Sequence, residues 1–253
     1  MMDQVDDTNR SKIALLIDGD NAQPSLIGHI LSEAAKHGSV TVRRIYGDWT
    51  TSNMSGWKNT LNNYAIQPIQ QFRYTIGKNA TDSAMIIDAM DILHSRLAEG
   101  FCLVSSDSDY TRLATRIREM GVFVMGIGKQ KTPKAFVNAC NLFIYTENLV
   151  PRETPGHARR ENQRGEHRER KPKELDPVPL LRGAYEMAEQ EDGWANLGTI
   201  GFYLRQVDPG FDPRSYGFKQ LSQLIKSQAE LFEMRTLEES GQNSIYIRIK
   251  EKA

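Results

Sequence analysis

The residues best suited to chemistry lie in three short acidic segments: Leu15-Leu16-Ile17-Asp18-Gly19-Asp20-Asn21, Lys78-Asn79-Ala80-Thr81-Asp82 and Val104-Ser105-Ser106-Asp107-Ser108-Asp109-Tyr110. Each falls where an apolar strand-like run or a turn passes into a helical pattern. Asp18, Asp82, Asp107 and Asp109 are therefore expected at one edge of a parallel sheet, where two carboxylates about 4 Å apart repel by roughly 4 kcal/mol at an effective dielectric near 20. Such a group stays ionised around a divalent cation. Oxygen-only ligands suit Mg²⁺ or Mn²⁺ rather than zinc, and the five histidines do not cluster with the acidic segments. An ion held there would acidify a water and neutralise charge on a phosphoryl oxygen, which is the chemistry of phosphodiester hydrolysis.

Helical spacing indicates where these carboxylates point. From Asp109, positions i+4, i+8 and i+11 are Leu113, Ile117 and Met120, so Asp109 heads an apolar stripe and faces inward over the sheet edge. Asp82 does the same above Met85, Ile86, Ala89, Met90 and Leu93. Asp88 lies about 240° around the helix from Asp82 and about 9 Å further along it, which sets it apart. Asp20 shares a loop with Asp18, but no pattern sets its direction. Asn21 is better placed to hydrogen-bond Asp18. The competing reading is that each Asp only caps a helix, a position Asp favours for hydrogen-bonding and dipole reasons. Capping alone does not require alignment with an apolar stripe.

The elements that must position these groups form an α/β pattern. Strands are predicted at 13–18, 40–46, 65–72, 101–105, 123–127 and 142–145, with main helices at 24–36, 80–98 and 108–120. Near-continuous apolar strands imply a parallel sheet covered by helices on both faces. Ligands bind beyond the carboxyl ends of such strands, where the acidic segments sit. Close by, Lys78 could meet a phosphate, Ser106 and Ser105 could position it or a water, and Trp49, after the second strand, could stack a base. The alternatives are a solvated lysine, ordinary strand-end serines and core or lid packing. Gly126-Ile127-Gly128-Lys129 lacks the Walker spacing and reads as a turn.

The chain divides into residues 12–149, a charged linker at 150–175 expected to be disordered, and a small unit at 176–250. The unit is predicted to hold helices at 179–190, 197–206 and 216–227 and a hairpin of strands 231–237 and 244–249, a winged helix-turn-helix. Lysine plus arginine total 32, as do aspartate plus glutamate, so any nucleic-acid surface must be local. The two cysteines have no metal or disulfide spacing. With no apolar run near the roughly 20 residues needed to span a bilayer, no membrane contact and a cytoplasmic location are expected.

On the segments Ile17-Asp18-Gly19-Asp20-Asn21, Lys78-Asn79-Ala80-Thr81-Asp82 and Ser105-Ser106-Asp107-Ser108-Asp109-Tyr110, residues 12–149 resemble the NYN domains, PIN-like ribonucleases that include the LabA-like bacterial proteins. The resemblance implies a PIN-like fold and metal-dependent endoribonuclease activity on single-stranded RNA. It carries the metal-binding acids over to Asp18, Asp82, Asp107 and Asp109, with Asn21 in support. Family members often have Ser-Gly-Asp-Ser-Asp-Phe in the last motif; Ser106 and Tyr110 stand here for the glycine and phenylalanine, and neither change removes a ligand. Gly193-Trp194, Leu197-Gly198, Phe211 and Tyr216-Gly217-Phe218 make the C-terminal unit similar to OST-HTH/LOTUS domains. That implies RNA binding or docking of a protein partner, with Lys219, Lys226, Arg214 and Arg235 as candidate phosphate contacts. Two other readings stay open. One is a haloacid-dehalogenase-like phosphatase using Asp18 and Asp20, and the other a non-catalytic RNA-binding adaptor.

Overall fold

A computed structural model describes residues 10–72, 80–150, 176–239 and 242–250. Lys78, Asn79 and almost all of the predicted linker lie outside the described residues. No described helix is long and apolar enough to cross a membrane.

In the first unit six parallel strands, β1 (Lys12–Asp18), β2 (Ser39–Gly47), β3 (Gln67–Gln70), β4 (Gly100–Val104), β5 (Phe123–Gly128) and β6 (Leu142–Tyr145), make one sheet in the order β3-β2-β1-β4-β5-β6. This is the PIN-like architecture expected from the sequence. Side-chain alternation along β1 divides the core in two. Ala14 and Leu16 pack on one face of the sheet, and Ile13, Leu15 and Ile17 on the other. The central strand β4 repeats the division, with Phe101 and Leu103 on the first face and Cys102 and Val104 on the second.

Helices α3 (Ala80–His94) and α4 (Thr111–Glu119) cover the first face through Met85, Ala89 and Ile92 and through Leu113, Ala114 and Ile117. Helix α1 (Ile27–Ala34) covers the second, joined there by Trp57. By the same alternation Asp18 and Ser105, next on the face of Leu16 and Leu103, turn toward α3 and α4. That parity, more than the loops, decides which side of the sheet holds the acidic site.

Several predicted boundaries shift, each for a local reason. The 65–72 strand shortens to β3 because Ala65 has φ 49, a left-handed conformation outside the strand region. The 80–98 helix stops at His94, and Arg96 turns the chain with φ 55. The 24–36 and 108–120 helices both open with a 3-10 turn, Pro24–Leu26 and Ser108–Tyr110. Met120, assigned to the buried stripe, is 50% exposed because α4 ends one residue before it. Two short helices, α2 (Lys58–Asn63) and α5 (Lys134–Ala139), were not predicted: six residues are under two turns and carry little periodicity.

The second unit contains α6 (Val178–Ala188), α7 (Leu197–Val207) and α8 (Leu221–Ser227). A three-stranded sheet accompanies them, in the order β7 (Ala195–Asn196), β9 (Gln242–Ile249) and β8 (Phe232–Glu239). Strands β8 and β9 pair antiparallel over their whole length, the predicted wing. Ser240 and Gly241 of its turn lie outside the described residues. Leu181, Ala184, Ile200, Leu204, Leu224 and Ile247 are all buried, as expected for three amphipathic helices closed by a hairpin.

Candidate metal centre

The acidic site lies where β1 and β4 end and α3 and the turn into α4 begin. Asp82, in the first turn of α3, meets Asp107 and Asp109, and one carboxylate oxygen from each lies within 4.8 Å of the other two. Asp107 is also the N-cap of the Ser108–Tyr110 turn: its Oδ1 accepts a hydrogen bond from the Asp109 N–H at 3.0 Å. The capping and pit readings of Asp107 are thus not exclusive. Asp109 is exposed, since it sits in the 3-10 turn before α4 rather than in the helix.

Asp18 stands beside this trio with a different environment. It is 1% exposed, and its Oδ2 accepts from Asn21 Nδ2 at 2.6 Å and from Ser105 Oγ at 2.9 Å. Its Oδ1 accepts the Asp20 N–H at 3.1 Å, which leaves that oxygen a lone pair. The loop can turn so tightly because residue 19 is glycine: a Cβ there would lie 2.8 Å from the Tyr46 carbonyl oxygen. Burial raises the Asp18 pKa, the Asn21 and Ser105 hydrogen bonds oppose that, and the charge of Asp82 adds to it. Burial also raises Asp82, against the hydrogen bond from Tyr110, and the charges of Asp107, Asp109 and Asp20 push it further. Asp20, whose direction no sequence pattern set, therefore lies close enough to act on the site.

This donor set fits a hard divalent cation. Three mutually repelling carboxylates within ligand reach of one another supply oxygen atoms only, and a cation between them would offset the repulsion that adds to the effect of burial on Asp82. The hydroxyls of Thr81 and Thr111, adjacent in sequence to Asp82 and Tyr110, are also buried without a hydrogen-bond partner among the described residues.

Tyr110 is a side chain in contact with the acidic trio that the sequence did not single out. Its ring is fully buried near Phe136, and its hydroxyl donates to Asp82 Oδ1 at 2.7 Å. The only signal for it was a phenol in place of a phenylalanine at the end of the last motif. Tyr110→Phe keeps the ring and deletes the donor, so it should leave the fold intact and weaken Mn²⁺ binding about tenfold, as loss of an outer-sphere partner of a metal ligand does. Calorimetric titration with Mn²⁺ measures this, and equal affinities would reduce Tyr110 to packing.

Asp88 is engaged by Arg44 and by the hydroxyl of Tyr46, away from the trio. Ser106 Oγ accepts the Lys129 N–H at 2.8 Å and so ties the β4 loop to the end of β5. The Trp49 indole N–H donates to the Ile69 carbonyl at 3.0 Å, and its ring packs on the second core face. In the second unit Lys219 is exposed and its backbone N–H donates to Gln223 Oε1, while Lys226 is exposed in α8. Arg214 is held by Asp212 at 2.7 Å. Arg235 pairs with Asp192 and lies 4.0 Å from the centre of the Trp194 ring, a cation–π contact.

A family model described as NYN domain matches residues 12–147, and one described as OST-HTH/LOTUS domain matches residues 172–244. No curated protein matches the chain. Similar solved structures include an uncharacterized protein from Nitrosomonas europaea, 31% identical over 38% of this chain and 95% of that one, with a TM-score of 0.29. A protein of unknown function from Vibrio parahaemolyticus is 18% identical over 56% of this chain and 94% of that one, with a TM-score of 0.45. A protein from Chromobacterium violaceum is 30% identical over 32% of this chain and 88% of that one, with a TM-score of 0.27.

Proposed function

Because this chain belongs to the NYN domain family, we propose that it is a divalent-metal-dependent endoribonuclease acting on single-stranded RNA in the cytoplasm. The observation that carries this reading is the convergence of Asp82, Asp107 and Asp109 at the carboxyl edge of a PIN-like sheet. These three would hold Mg²⁺ or Mn²⁺, with Asp18 contributing from the end of β1. When bound, the ion supplies charge neutralisation at the scissile phosphate and acidifies the attacking water. The protein's own groups do the positioning. Asn21, from the loop after β1, and Ser105, from the end of β4, hold Asp18 through its Oδ2, and Tyr110 holds Asp82. Lys78, Ser106 and Trp49 are proposed on the substrate side. Residues 12–149 are the proposed nuclease domain. Across a linker at 150–175, an OST-HTH/LOTUS domain at 176–250 would recruit RNA, with Lys219 as a phosphate contact, or dock a protein partner.

The burial of Asp18 counts against the phosphatase reading. A nucleophile must be reachable, and this carboxylate is 1% exposed with Oδ2 accepting two hydrogen bonds. The test is incubation of the full chain with end-labelled single-stranded RNA and with DNA of the same sequence, in Mn²⁺ and in EDTA. Internal cleavage of RNA in Mn²⁺ alone is the expected result. RNA binding without cleavage in either condition would leave the adaptor reading in its place.

A further inference from the structure

Beside the acidic trio a groove of about 490 Å³ opens between α3 and α4, and Asp109 forms part of its wall. Ile86 and Met90 of α3 and the buried Leu113 of α4 give it an apolar floor, while Arg112 and Arg116 stand exposed along the α4 side. We propose that this groove is the track of the RNA strand beside the scissile phosphate, with Arg112 and Arg116 on phosphates and the apolar floor under base faces.

Three features support this occupant. The first is continuity: Asp109 belongs both to the trio and to the groove, so a strand lying in it runs directly from the proposed cleavage site. The second is spacing along the helix. Arg112 follows Asp109 by about one turn and Arg116 by two, so the backbone positions of the two arginines are about 6 Å apart along the axis and lead away from the trio on one side. The third is charge. Arg112 has no hydrogen-bond or ion-pair partner among the described residues. Among the described residues Arg116 has an exposed contact at 3.4 Å with Glu119, which also lines the groove, and a phosphate oxygen can displace it.

The arrangement selects an unpaired strand. An apolar floor between charged walls can take base faces only if the bases are not already stacked in a duplex, and contact through the faces is tolerant of sequence. Cleavage would then prefer single strands long enough to reach Arg116, with little dependence on base identity.

The proposal rests on the ribonuclease reading, and the experiment separates the two. Full-length Asp107→Asn, with and without Arg112→Ala and Arg116→Ala together, is titrated with a fluorescent single-stranded RNA over a range of salt concentrations. The same RNA carrying 4-thiouridine is cross-linked to the protein and the attached peptides are mapped. Both arginines are exposed, so folding is not at risk. The double arginine change should weaken binding roughly tenfold and flatten the slope of log K against log salt by about 1.4, the value for two phosphate contacts on a single strand. Cross-links should include peptides of α3 and α4. Unchanged affinity and slope, or no cross-link in either helix, would overturn the groove while wild-type cleavage of RNA still upheld the nuclease. Absence of both RNA cleavage and RNA binding in the wild type would overturn both.

Discussion

Asp107→Asn should lower the rate of RNA cleavage on the order of a thousandfold while changing stability by less than about 0.5 kcal/mol. The two effects separate because Asp107 has two jobs. As N-cap it accepts the Asp109 N–H at 3.0 Å, and asparagine caps as well as aspartate because its side-chain oxygen accepts the same bond. As a member of the trio it supplies negative charge beside Asp82 and Asp109, and the amide has none to offer a cation. Denaturant melts of the two proteins in EDTA should therefore coincide while single-turnover cleavage in Mn²⁺ collapses. A cleavage rate within threefold of wild type would leave Asp107 with the cap alone and remove the ribonuclease assignment.

Divalent metal should raise the melting temperature of the wild type by roughly 5 to 10 °C at a concentration a hundred times the dissociation constant, where mass action contributes about 2.7 kcal/mol. The size of this effect should depend on pH in a definite direction. Asp18 and Asp82 have folded-state pKa values raised above the ordinary 3.8, in both cases chiefly by burial. A group raised in this way binds its proton more tightly in the folded protein. Its contribution to stability is fully present below the unfolded pKa and is lost as pH rises through the folded value. The metal-free protein should therefore lose stability as pH rises from about 4 through the raised folded-state values of these two groups. Metal competes with those protons, so the stabilisation by Mn²⁺ should grow over the same interval. Differential scanning fluorimetry across pH, with Mn²⁺ and with EDTA, reads both trends. A metal-induced shift that is independent of pH, or that persists in Asp107→Asn, would place the ion elsewhere.

Much of this architecture is legible in the sequence because two periodicities carry it. The apolar runs at 13–17 and 101–104 announce strands buried on both faces, and they are β1 and β4. The period of two places Asp18 and Ser105 on the face of Leu16 and Leu103. The period of 3.6 places Asp82 above Met85 and Ala89, both fully buried. Asn21 is three residues from Asp18, near enough for the loop itself to bring them together.

Contacts between distant segments needed the tertiary structure. Ser105 reaches Asp18 across 87 residues because β4 lies next to β1, a strand order that sequence spacing does not encode. The Tyr110 hydroxyl meets Asp82 across 28 residues only because α3 and the turn before α4 start at the same sheet edge. Asp109 emerges exposed because a 3-10 turn rotates it out of the helical stripe it was expected to lead. Asp88, on the same helix as Asp82, is drawn to Arg44 and Tyr46 on β2, so one helix carries both an acid of the candidate site and an acid bound into the scaffold. Sequence by itself determined which residues carry oxygen-ligand chemistry and, for Asp18 and Asp82, which face of their element they occupy, since local backbone periodicity sets direction. Tertiary structure decided which of them meet and what groove opens beside them, because the neighbours of a strand or helix are chosen by burial of the whole chain.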